Sequence, residues 1–385
     1  MNDTWWVRPD QLDDDQKPLV NLPLSGSFTI LGPPGSGKTN LLVLRATQLL
    51  RSNKKKIRML VFSRTLEEFL ASCPTAYRLP RDYLRTCQRW VMELINALNG
   101  VPATSGDFES VRKQNAEILT NLLDSQKLGK LFEVLLLDEA QDYLVEEIAL
   151  FFRIAEDVFA AADSRQRIFD HPDPVPALKE RSVEKLLRLH YRNGRKICMA
   201  ADSIGAEWDG YSPMLNTSQY NEAANPSTVI DRGELPIANQ ADEIIAAIRR
   251  QLVTFPEELI GVMAPRHEEL DVLKAALRNS DLHPIVAYQA ADDAPISFTP
   301  DTRICVCTVH SGKGLEFRAA HIAGAEFFSK FRERQRRMAY TALTRAKTAL
   351  TVYHDAQLPT YLSGSIAAAN PVASPAPFEG LFEEE

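Results

Sequence analysis

The sequence predicts an α/β protein of two lobes, in which parallel β-sheets are flanked by helices. Short apolar runs typical of buried strands alternate with amphipathic segments along most of the 385 residues. Several of these runs end in polar or charged clusters, as strands do where an open parallel sheet binds a ligand. A helical stretch over about 71–128 interrupts the first half of the chain. We therefore expect a small helical insertion in the first lobe.

The composition is that of a globular protein, with 45% hydrophobic and 25% charged residues. No apolar stretch approaches a membrane span and the start of the chain lacks the features of a signal peptide, so we expect a cytoplasmic protein without membrane contact. The five scattered cysteines contain no Cys-x-x-Cys pair, which predicts reduced core thiols. The net charge of −7 argues against coating of nucleic acid by bulk charge and leaves a local basic groove open.

The first lobe contains a phosphate-binding loop of the form G-x-x-x-x-G-K-T. Its residues are Gly32, Pro33, Pro34, Gly35, Ser36, Gly37, Lys38 and Thr39. The loop lies between a strand-like run over 27–31 and a helix-like segment over 40–46, which is the context that the motif requires. The glycines let backbone N–H groups converge on phosphates, while Lys38 would reach the β- and γ-phosphates and Thr39 would ligate Mg²⁺. The loop thus predicts a site for a nucleoside triphosphate with magnesium.

Gln16 lies upstream of this loop in an acidic turn over 12–16. One interpretation is a solvated helix start. The other is that the Gln16 amide, which offers both a donor and an acceptor, contacts an adenine edge. The spacing leaves both interpretations open.

Two later strand ends predict the rest of the catalytic machinery. The strongest predicted strand, 132–137, ends at Asp138 and Glu139. A carboxylate such as Asp138 can hold Mg²⁺, and Glu139 can position or deprotonate the attacking water. The next predicted strand, 157–162, leads to Gln166, whose amide can bond the γ-phosphate.

The lobes are predicted to divide near residue 190, after a strand-like run over 186–189, so that the first lobe covers 1–190 and the second 191–362. The second lobe alternates predicted helices and strands. The remaining residues, 363–385, are rich in Ala, Pro and Ser and end in acids. They are predicted to form a disordered tail, which is either an inert solubilising segment or a short docking peptide.

In their order along the chain, these motifs resemble the motif set of UvrD-like superfamily 1 DNA helicases. The set consists of Gln16, the phosphate loop, D-E-A-Q-D at 138–142, D-x-x-Q at 163–166, Y-R at 191–192, T-x-H-x-x-K-G-L-E at 308–316 and Y-x-A-L-T-R-A at 340–346. The resemblance spans nearly the whole chain. It implies two RecA-like P-loop NTPase lobes, 1A and 2A, with a 1B-like insertion, ATP in the cleft and single-stranded DNA across both lobes.

The resemblance also implies roles for individual residues. Gln16 would read adenine and Tyr191 would stack on it, whereas Glu316 would be the acid on the ribose side and Gly314 would also belong to the nucleotide site. Around the γ-phosphate it places Lys38, Asp138, Glu139, Gln166, Arg192 and Arg345. Near the DNA backbone it places Thr308 and His310.

The chain departs from the family pattern at several positions. Arg64 stands where an aromatic is expected after the second strand, and the segment 170–172 replaces a base-stacking Trp. In the second lobe, only residues 280–302 separate the predicted helix over 268–277 from the predicted strand over 303–307. Larger helicases insert a whole domain at this place, so the sequence predicts a compact form. Duplex unwinding is therefore less expected than ATP hydrolysis or DNA binding.

Two functions fit these observations. The first is a DNA-stimulated ATPase that translocates on single-stranded DNA or remodels it, either alone or as the motor subunit beside a nuclease, as in Gabija-type defence systems. The second is a nucleotide-gated switch that acts on a protein partner without unwinding. RNA in place of DNA stays open, since stacking and backbone contacts carry little sequence information.

Overall fold

Two parallel β-sheets organise the computed structural model, which describes residues 9–72, 79–289, 298–328 and 333–371. The first sheet has six strands in the order β3-β2-β4-β5-β1-β6. These are β1 Phe28–Leu31, β2 Ile57–Val61, β3 Leu84–Thr86, β4 Phe132–Leu137, β5 Ala155–Ala162 and β6 Val183–Leu186. β1 and β4, which precede the phosphate loop and the acidic cluster, are joined through β5 at the centre of the sheet.

The second sheet also has six strands, in the order β7-β12-β11-β8-β10-β9. These are β7 Thr228–Arg232, β8 Ile260–Ala264, β9 Val286–Gln289, β10 Ile304–Thr308, β11 Phe317–Ile322 and β12 Ala346–Tyr353. Every residue of β8 and β10 is buried, as expected for central strands of a parallel sheet covered by helices on both faces.

Helices cover the two sheets. Along the first sheet they are α1 Lys17–Val20, α2 Lys38–Arg51, α3 Arg64–Ala71, α4 Cys87–Ala97, α5 Phe108–Ser125, α6 Val145–Ile154 and α7 Val175–Lys179. Along the second they are α8 Arg195–Gly205, α9 Ile237–Thr254, α10 His267–Arg278, α11 Glu333–Leu343 and α12 Thr360–Ala369. Local sequence explains several starts: the Ser63 hydroxyl caps α3 and the Asp107 carboxylate caps α5.

The predicted fold class, α/β with two parallel sheets, is confirmed. α4 and α5 form the helical part of the predicted insertion. None of the helices in the described ranges combines the length and the apolar character needed to cross a bilayer. Four cysteines are free and buried, as predicted, whereas Cys73 lies outside the described residues.

Three predicted boundaries are wrong. The insertion is not helical throughout, because β3 pairs with β2 as an edge strand; three residues are too few to show an alternating pattern. The last strand of the first sheet is Val183–Leu186 rather than 186–189, because Leu187 packs into the core after the strand ends. The tail does not begin at 363, because α12 continues to Ala369.

The helix α12 shows why composition misplaced the tail. Its Ala-rich end looks like low-complexity sequence, yet Ile366 and Ala369 are buried where α12 packs against α8. Small side chains allow this close packing. Residues 372–385, the rest of the predicted tail, lie outside the described residues. The division of lobes at residue 190 stays a prediction; β6 precedes it in the first sheet and α8 follows it beside β7.

Candidate nucleotide site and nucleic-acid groove

The phosphate loop joins β1 to α2 in a conformation that needs glycine. Gly35 and Gly37 have φ values of +74° and +83°, in the left-handed region that other residues rarely adopt. A Cβ on Gly35 would lie 2.4 Å from the Arg192 Cβ, and one on Gly37 would lie 2.8 Å from the Gln16 amide nitrogen. The glycines therefore also let two other segments approach the loop closely.

Lys38, the first residue of α2, is folded against the loop. Its ammonium group donates to the carbonyls of Gly32 at 2.9 Å and Pro33 at 2.8 Å. Burial lowers the pKa of Lys38 to about 8, although the charges of Asp163 and Glu139 act in the opposite direction. A desolvated ammonium group at a helix N-terminus is suited to binding an anion.

The ends of β1 and β4 bring Thr39 and the two predicted acids together. The Thr39 hydroxyl donates to Asp138 Oδ2 at 2.8 Å. Burial, reinforced by the neighbouring Glu139, raises the pKa of Asp138 to about 7. Burial acts on Glu139 as well, but the charges of Lys313, Arg345 and Lys38 hold its pKa below the ordinary value. Glu139 is thus kept as a charged carboxylate.

Side-chain amides link Glu139 by hydrogen bonds to the residues that follow β5. Gln141 donates to Glu139 Oε2 at 2.5 Å and accepts from the Asp163 N–H at 2.9 Å. Asp163 in turn accepts from the Gln166 side-chain amide at 2.9 Å. Glu139 itself has a φ of +49°, an uncommon conformation for a residue with a side chain, which this network holds in place.

Arg345 of the second lobe reaches into the first. Its guanidinium donates to the Gln166 side-chain oxygen, and also to the Leu315 carbonyl at 3.2 Å. Burial and the nearby charge of Arg192 lower the pKa of Arg345 to about 10. The two residues predicted to contact the γ-phosphate from opposite lobes are therefore in direct contact.

Arg192 and Glu316 form a second pair at this boundary. Arg192 donates to the Glu316 carboxylate, which also lies 3.4 Å from the Lys347 ammonium group. Burial favours protonation of Glu316, yet these cations keep its pKa below the ordinary value. Gly314, at φ +85°, lies where the loop between β10 and β11 approaches α3 closely, since an added Cβ would lie 2.6 Å from Leu66.

Lys313 also belongs to this site, a role that was not predicted from the sequence. Its fully buried ammonium group pairs with Asp142, donates to the Gln166 carbonyl at 2.6 Å and lies 3.6 Å from Glu139 Oε2. The signal was present in the sequence, because Lys313 is the lysine of the T-x-H-x-x-K-G-L-E segment.

Many of these groups line a cleft of about 370 Å³, which we call the nucleotide cleft. Gln16 and Tyr191 lie on its wall, where Gln16 is buried and donates to the Ser36 carbonyl at 3.0 Å. The Gln16 side chain therefore faces the loop rather than solvent. The predicted residues along the cleft are Gln16, Pro34, Gly35, Gly37, Lys38, Thr39, Asp138, Glu139, Gln166, Tyr191, Arg192, Gly314, Glu316 and Arg345. Gly32, Pro33 and Ser36 form the base of the loop.

A second and larger cavity, about 830 Å³, lies between α4 and the loop after β10. We call it the aromatic groove. Its lining includes Phe62, Phe108, Phe169, His310, Arg64, Arg112 and Arg334. The Phe108 and Phe169 rings are stacked, with centroids 5.8 Å apart, and Phe62 lies 5.2 Å from Phe169.

These rings correct two departures inferred from the sequence. Arg64 does not remove the aromatic after β2, because Phe62 follows that strand immediately. Likewise Phe169, one residue before the segment 170–172, keeps an aromatic beside the D-x-x-Q motif. Both aromatics lie within two residues of the expected positions, so a wider search of the sequence would have found them.

The structure separates the two residues predicted near DNA. His310 lines the aromatic groove, where burial and the charge of Arg334 lower its pKa to about 4. Thr308 is buried, and its hydroxyl donates to Ser311 Oγ at 3.0 Å. Its contact with nucleic acid stays a prediction.

Residues 303–353 match the family model of the UvrD-like helicase C-terminal domain. This segment runs from β10 to β12 and carries Thr308, His310, Lys313, Glu316 and Arg345. Over this segment the chain is similar to UvrD-like helicases. The resemblance that the ordered motifs predict is thereby confirmed, and the helicase-like segment contributes Gly314, Glu316 and Arg345 to the nucleotide cleft.

Solved structures of helicases are also similar to the chain. The C-terminal domain of a possible DNA helicase from Lactobacillus plantarum WCFS1 has 18% identity and a TM-score of 0.32, over 46% of this chain and 96% of that one. The PRRSV helicase has 16% identity and a TM-score of 0.36 over 88% of this chain, which spans 54% of the length of that one. No curated protein matches the sequence.

Proposed function

We propose that the protein is a DNA-stimulated ATPase that binds single-stranded DNA and couples ATP hydrolysis to movement along it or to its remodelling. The observation that carries this proposal is the contact between Arg345 and Gln166 across the two sheets. A γ-phosphate bound between these groups would contact both lobes at once. We accordingly propose 1–190 and 191 onward as the two lobes.

The nucleotide cleft has the donors that Mg-ATP needs. The Thr39 hydroxyl and Asp138 carboxylate present two hard oxygens 2.8 Å apart at the start of α2, which fits Mg²⁺ completed by phosphate oxygens and water. Bound there, Mg²⁺ would neutralise charge on the phosphates. Lys38 would exchange its two loop carbonyls for phosphate oxygens. Gln16 and Tyr191 would hold the base.

The residues around Glu139 suit hydrolysis. Its low pKa keeps it ionised, so that it can orient a water molecule for in-line attack on the γ-phosphorus and accept a proton from that water. As the bond from water oxygen to phosphorus forms, the bond from phosphorus to the β–γ bridging oxygen breaks and ADP leaves. Arg192 and Arg345 would offset the charge that develops on the transferred group, because a planar guanidinium can bond two phosphate oxygens.

The aromatic groove fits single-stranded nucleic acid better than a duplex. Unpaired bases can stack on Phe62, Phe108 and Phe169, whereas paired bases do not present their faces. Arg64 and Arg334 supply positive charge for the backbone. The groove and the cleft are connected through the loop after β10, which carries His310 to the groove and places Lys313 3.6 Å from Glu139 of the cleft.

The test is steady-state ATPase activity with no nucleic acid, single-stranded DNA, duplex DNA and RNA of matched length. We expect single-stranded DNA to stimulate turnover most. Glu139→Gln should bind Mg-ATP but fail to hydrolyse it, and Lys38→Ala should lose affinity and turnover together, because it lacks the charge that offsets the phosphates.

Displacement of a terminal protein block from single-stranded DNA then separates a motor from a switch. ATPase activity with no displacement and no response to any nucleic acid would favour the nucleotide-gated switch acting on a protein partner. Stimulation by RNA equal to that by DNA would change the assigned substrate.

A further inference from the structure

The floor of the aromatic groove contains a buried arginine whose bonding is incomplete. Arg112, in α5, is 4% exposed. Its Nε donates to Glu147 Oε1 at 3.0 Å, and its Nη2 donates to Glu147 Oε2 and to the Asp142 carbonyl. Its Nη1 is buried and has no acceptor among the described residues. Three of the five N–H donors of the guanidinium group are therefore fixed in place, and the two on Nη1 are unused.

The surroundings of Nη1 select the kind of group that could satisfy it. The guanidinium carbon lies 5.5 Å from the centroid of the Phe62 ring and 5.4 Å from that of Phe108. Phe108 is 45% exposed, so an entering group can reach this residue from the solvent side. The ring faces attract the cation but offer no lone pair. A buried N–H without an acceptor is costly, and an acceptor brought by a ligand would remove that cost.

A nucleobase meets these conditions better than a phosphate. A base can stack on the rings while a carbonyl oxygen at its edge points to Nη1, whereas a phosphate would lose its hydration among apolar ring faces. Glu147 fixes the guanidinium plane through two bonds, so the direction of Nη1 is set before any ligand arrives. Arginine is also the side chain that most often reads the O6 and N7 acceptors of guanine.

We propose that Arg112 Nη1 donates to guanine O6 or thymine O4 of a base stacked in the aromatic groove. This inference rests on the proposed binding of single-stranded DNA and adds base preference to it. At the equivalent edge position adenine and cytosine carry an amino group, which is a donor and would oppose the Arg112 donor. Binding through stacking and backbone contacts alone gives only modest preferences, which follow stacking strength and backbone flexibility rather than hydrogen-bond readout.

The experiment places a single keto base at successive positions of an otherwise uniform oligonucleotide. Fluorescence anisotropy measures the affinity of the full chain for a dA oligomer of about 12 nucleotides, with a single dT or dG at each position in turn. We expect dT and dG at one position to tighten binding roughly tenfold, as a hydrogen bond to a charged donor would. An abasic residue at that position should remove the gain.

The matching variant is Arg112→Met with Glu147→Met, which replaces the buried ion pair by apolar groups of similar size so that neither charge is stranded. The control is Lys113→Met with Glu146→Met, a solvent-exposed pair joining the same two helices at 3.4 Å. The first double variant should bind the dA host yet lose the keto preference. The control should keep it.

Each outcome decides the inference. A flat profile in the parent chain, or a preference that survives in the Arg112 double variant, overturns the assignment of Nη1 as a base donor. A gain that persists with the abasic residue points to a backbone contact and also overturns it. Failure of every oligomer to bind would instead overturn the proposed DNA binding, and this inference with it.

Discussion

Lys313, from the loop after β10, carries its ammonium group into an ion pair with Asp142, beyond the end of β4. The side chains of both residues are fully buried. The same ammonium group bonds the Gln166 carbonyl at 2.6 Å and lies 3.6 Å from Glu139. One cation from the second lobe thus neutralises two acids of the first and touches the segment that carries the predicted γ-phosphate sensor.

Lys313→Met should lower both stability and turnover. Removing one partner of a buried pair strands Asp142 and costs about 3–5 kcal/mol of unfolding free energy. Turnover should fall because Glu139 loses the strongest of its neutralising charges, so that its pKa rises and it becomes easier to protonate. Urea unfolding and steady-state ATPase activity measure the two effects.

A second variant distinguishes the two roles of Lys313. Lys313→Met with Asp142→Asn should regain part of the stability without regaining turnover, since Glu139 still lacks its cation. The comparison lysine is Lys274, which pairs with Asp271 at 3.1 Å on α10, away from the cleft. If turnover in Lys313→Met matches that in Lys274→Met, the catalytic part of this account is wrong.

Arg345→Ala should reduce kcat by roughly a hundredfold or more, the order expected for an arginine that stabilises phosphoryl transfer. Arg345→Lys should recover little, because an ammonium group cannot bond Gln166 and a phosphate oxygen in one plane. Arg249→Ala, at an exposed ion pair on α9, is the matched control and should retain parental kcat.

The same variant tests communication between the lobes. In the parent chain, affinity for single-stranded DNA should differ between ADP and a non-hydrolysable ATP analogue, and in Arg345→Ala this difference should shrink. Anisotropy titrations in the two nucleotides give the comparison. A parental kcat together with an intact nucleotide response would contradict a site shared by two lobes.

Much of this site could be predicted from the sequence, because its groups follow strand ends. Parallel strands place their carboxyl ends at one edge of a sheet, so Thr39, Asp138 and Gln166 converge once 27–31, 132–137 and 157–162 are recognised as strands. The weakly patterned β3 was missed because its three residues depend on pairing with β2.

What could not be predicted is the pairing between groups far apart in the chain. Nothing local to Lys313 indicates that its partner is Asp142, 171 residues away. In the same way, Phe62, Phe108 and Phe169 each look like core aromatics in sequence, and only the folded chain places them around one groove. Such partnerships are tertiary properties, which periodicity and local spacing do not encode.

Phe169→Ala should weaken binding of single-stranded DNA by about tenfold, within the range for loss of one base–aromatic stack. Phe169 contacts Phe62, Phe108 and His310, so it is central to the groove. The control is Phe327→Ala, a 37% exposed ring under Arg266 outside the groove. Affinity should also fall steeply with salt for the parent and for both variants. If the two variants bind single-stranded DNA with equal affinity, the groove is not the binding surface.

Acid should destabilise the chain through His321, which is fully buried in β11. Its ring bonds Tyr353 at 3.1 Å and Gln251 at 2.9 Å, and burial together with Arg250 lowers its pKa from 6.5 to about 3. Because the folded pKa is the lower one, the unfolded chain binds the proton first as pH falls below 6.5. The stability contributed by the neutral ring is therefore complete above that pH and is lost progressively toward pH 3. Between pH 7 and 5.5 the loss should be about 1 kcal/mol for this one group.

His321→Gln should be less stable at pH 7 but should show a pH dependence smaller by that amount in urea unfolding. An unchanged pH dependence in His321→Gln would show that this ring does not govern acid stability.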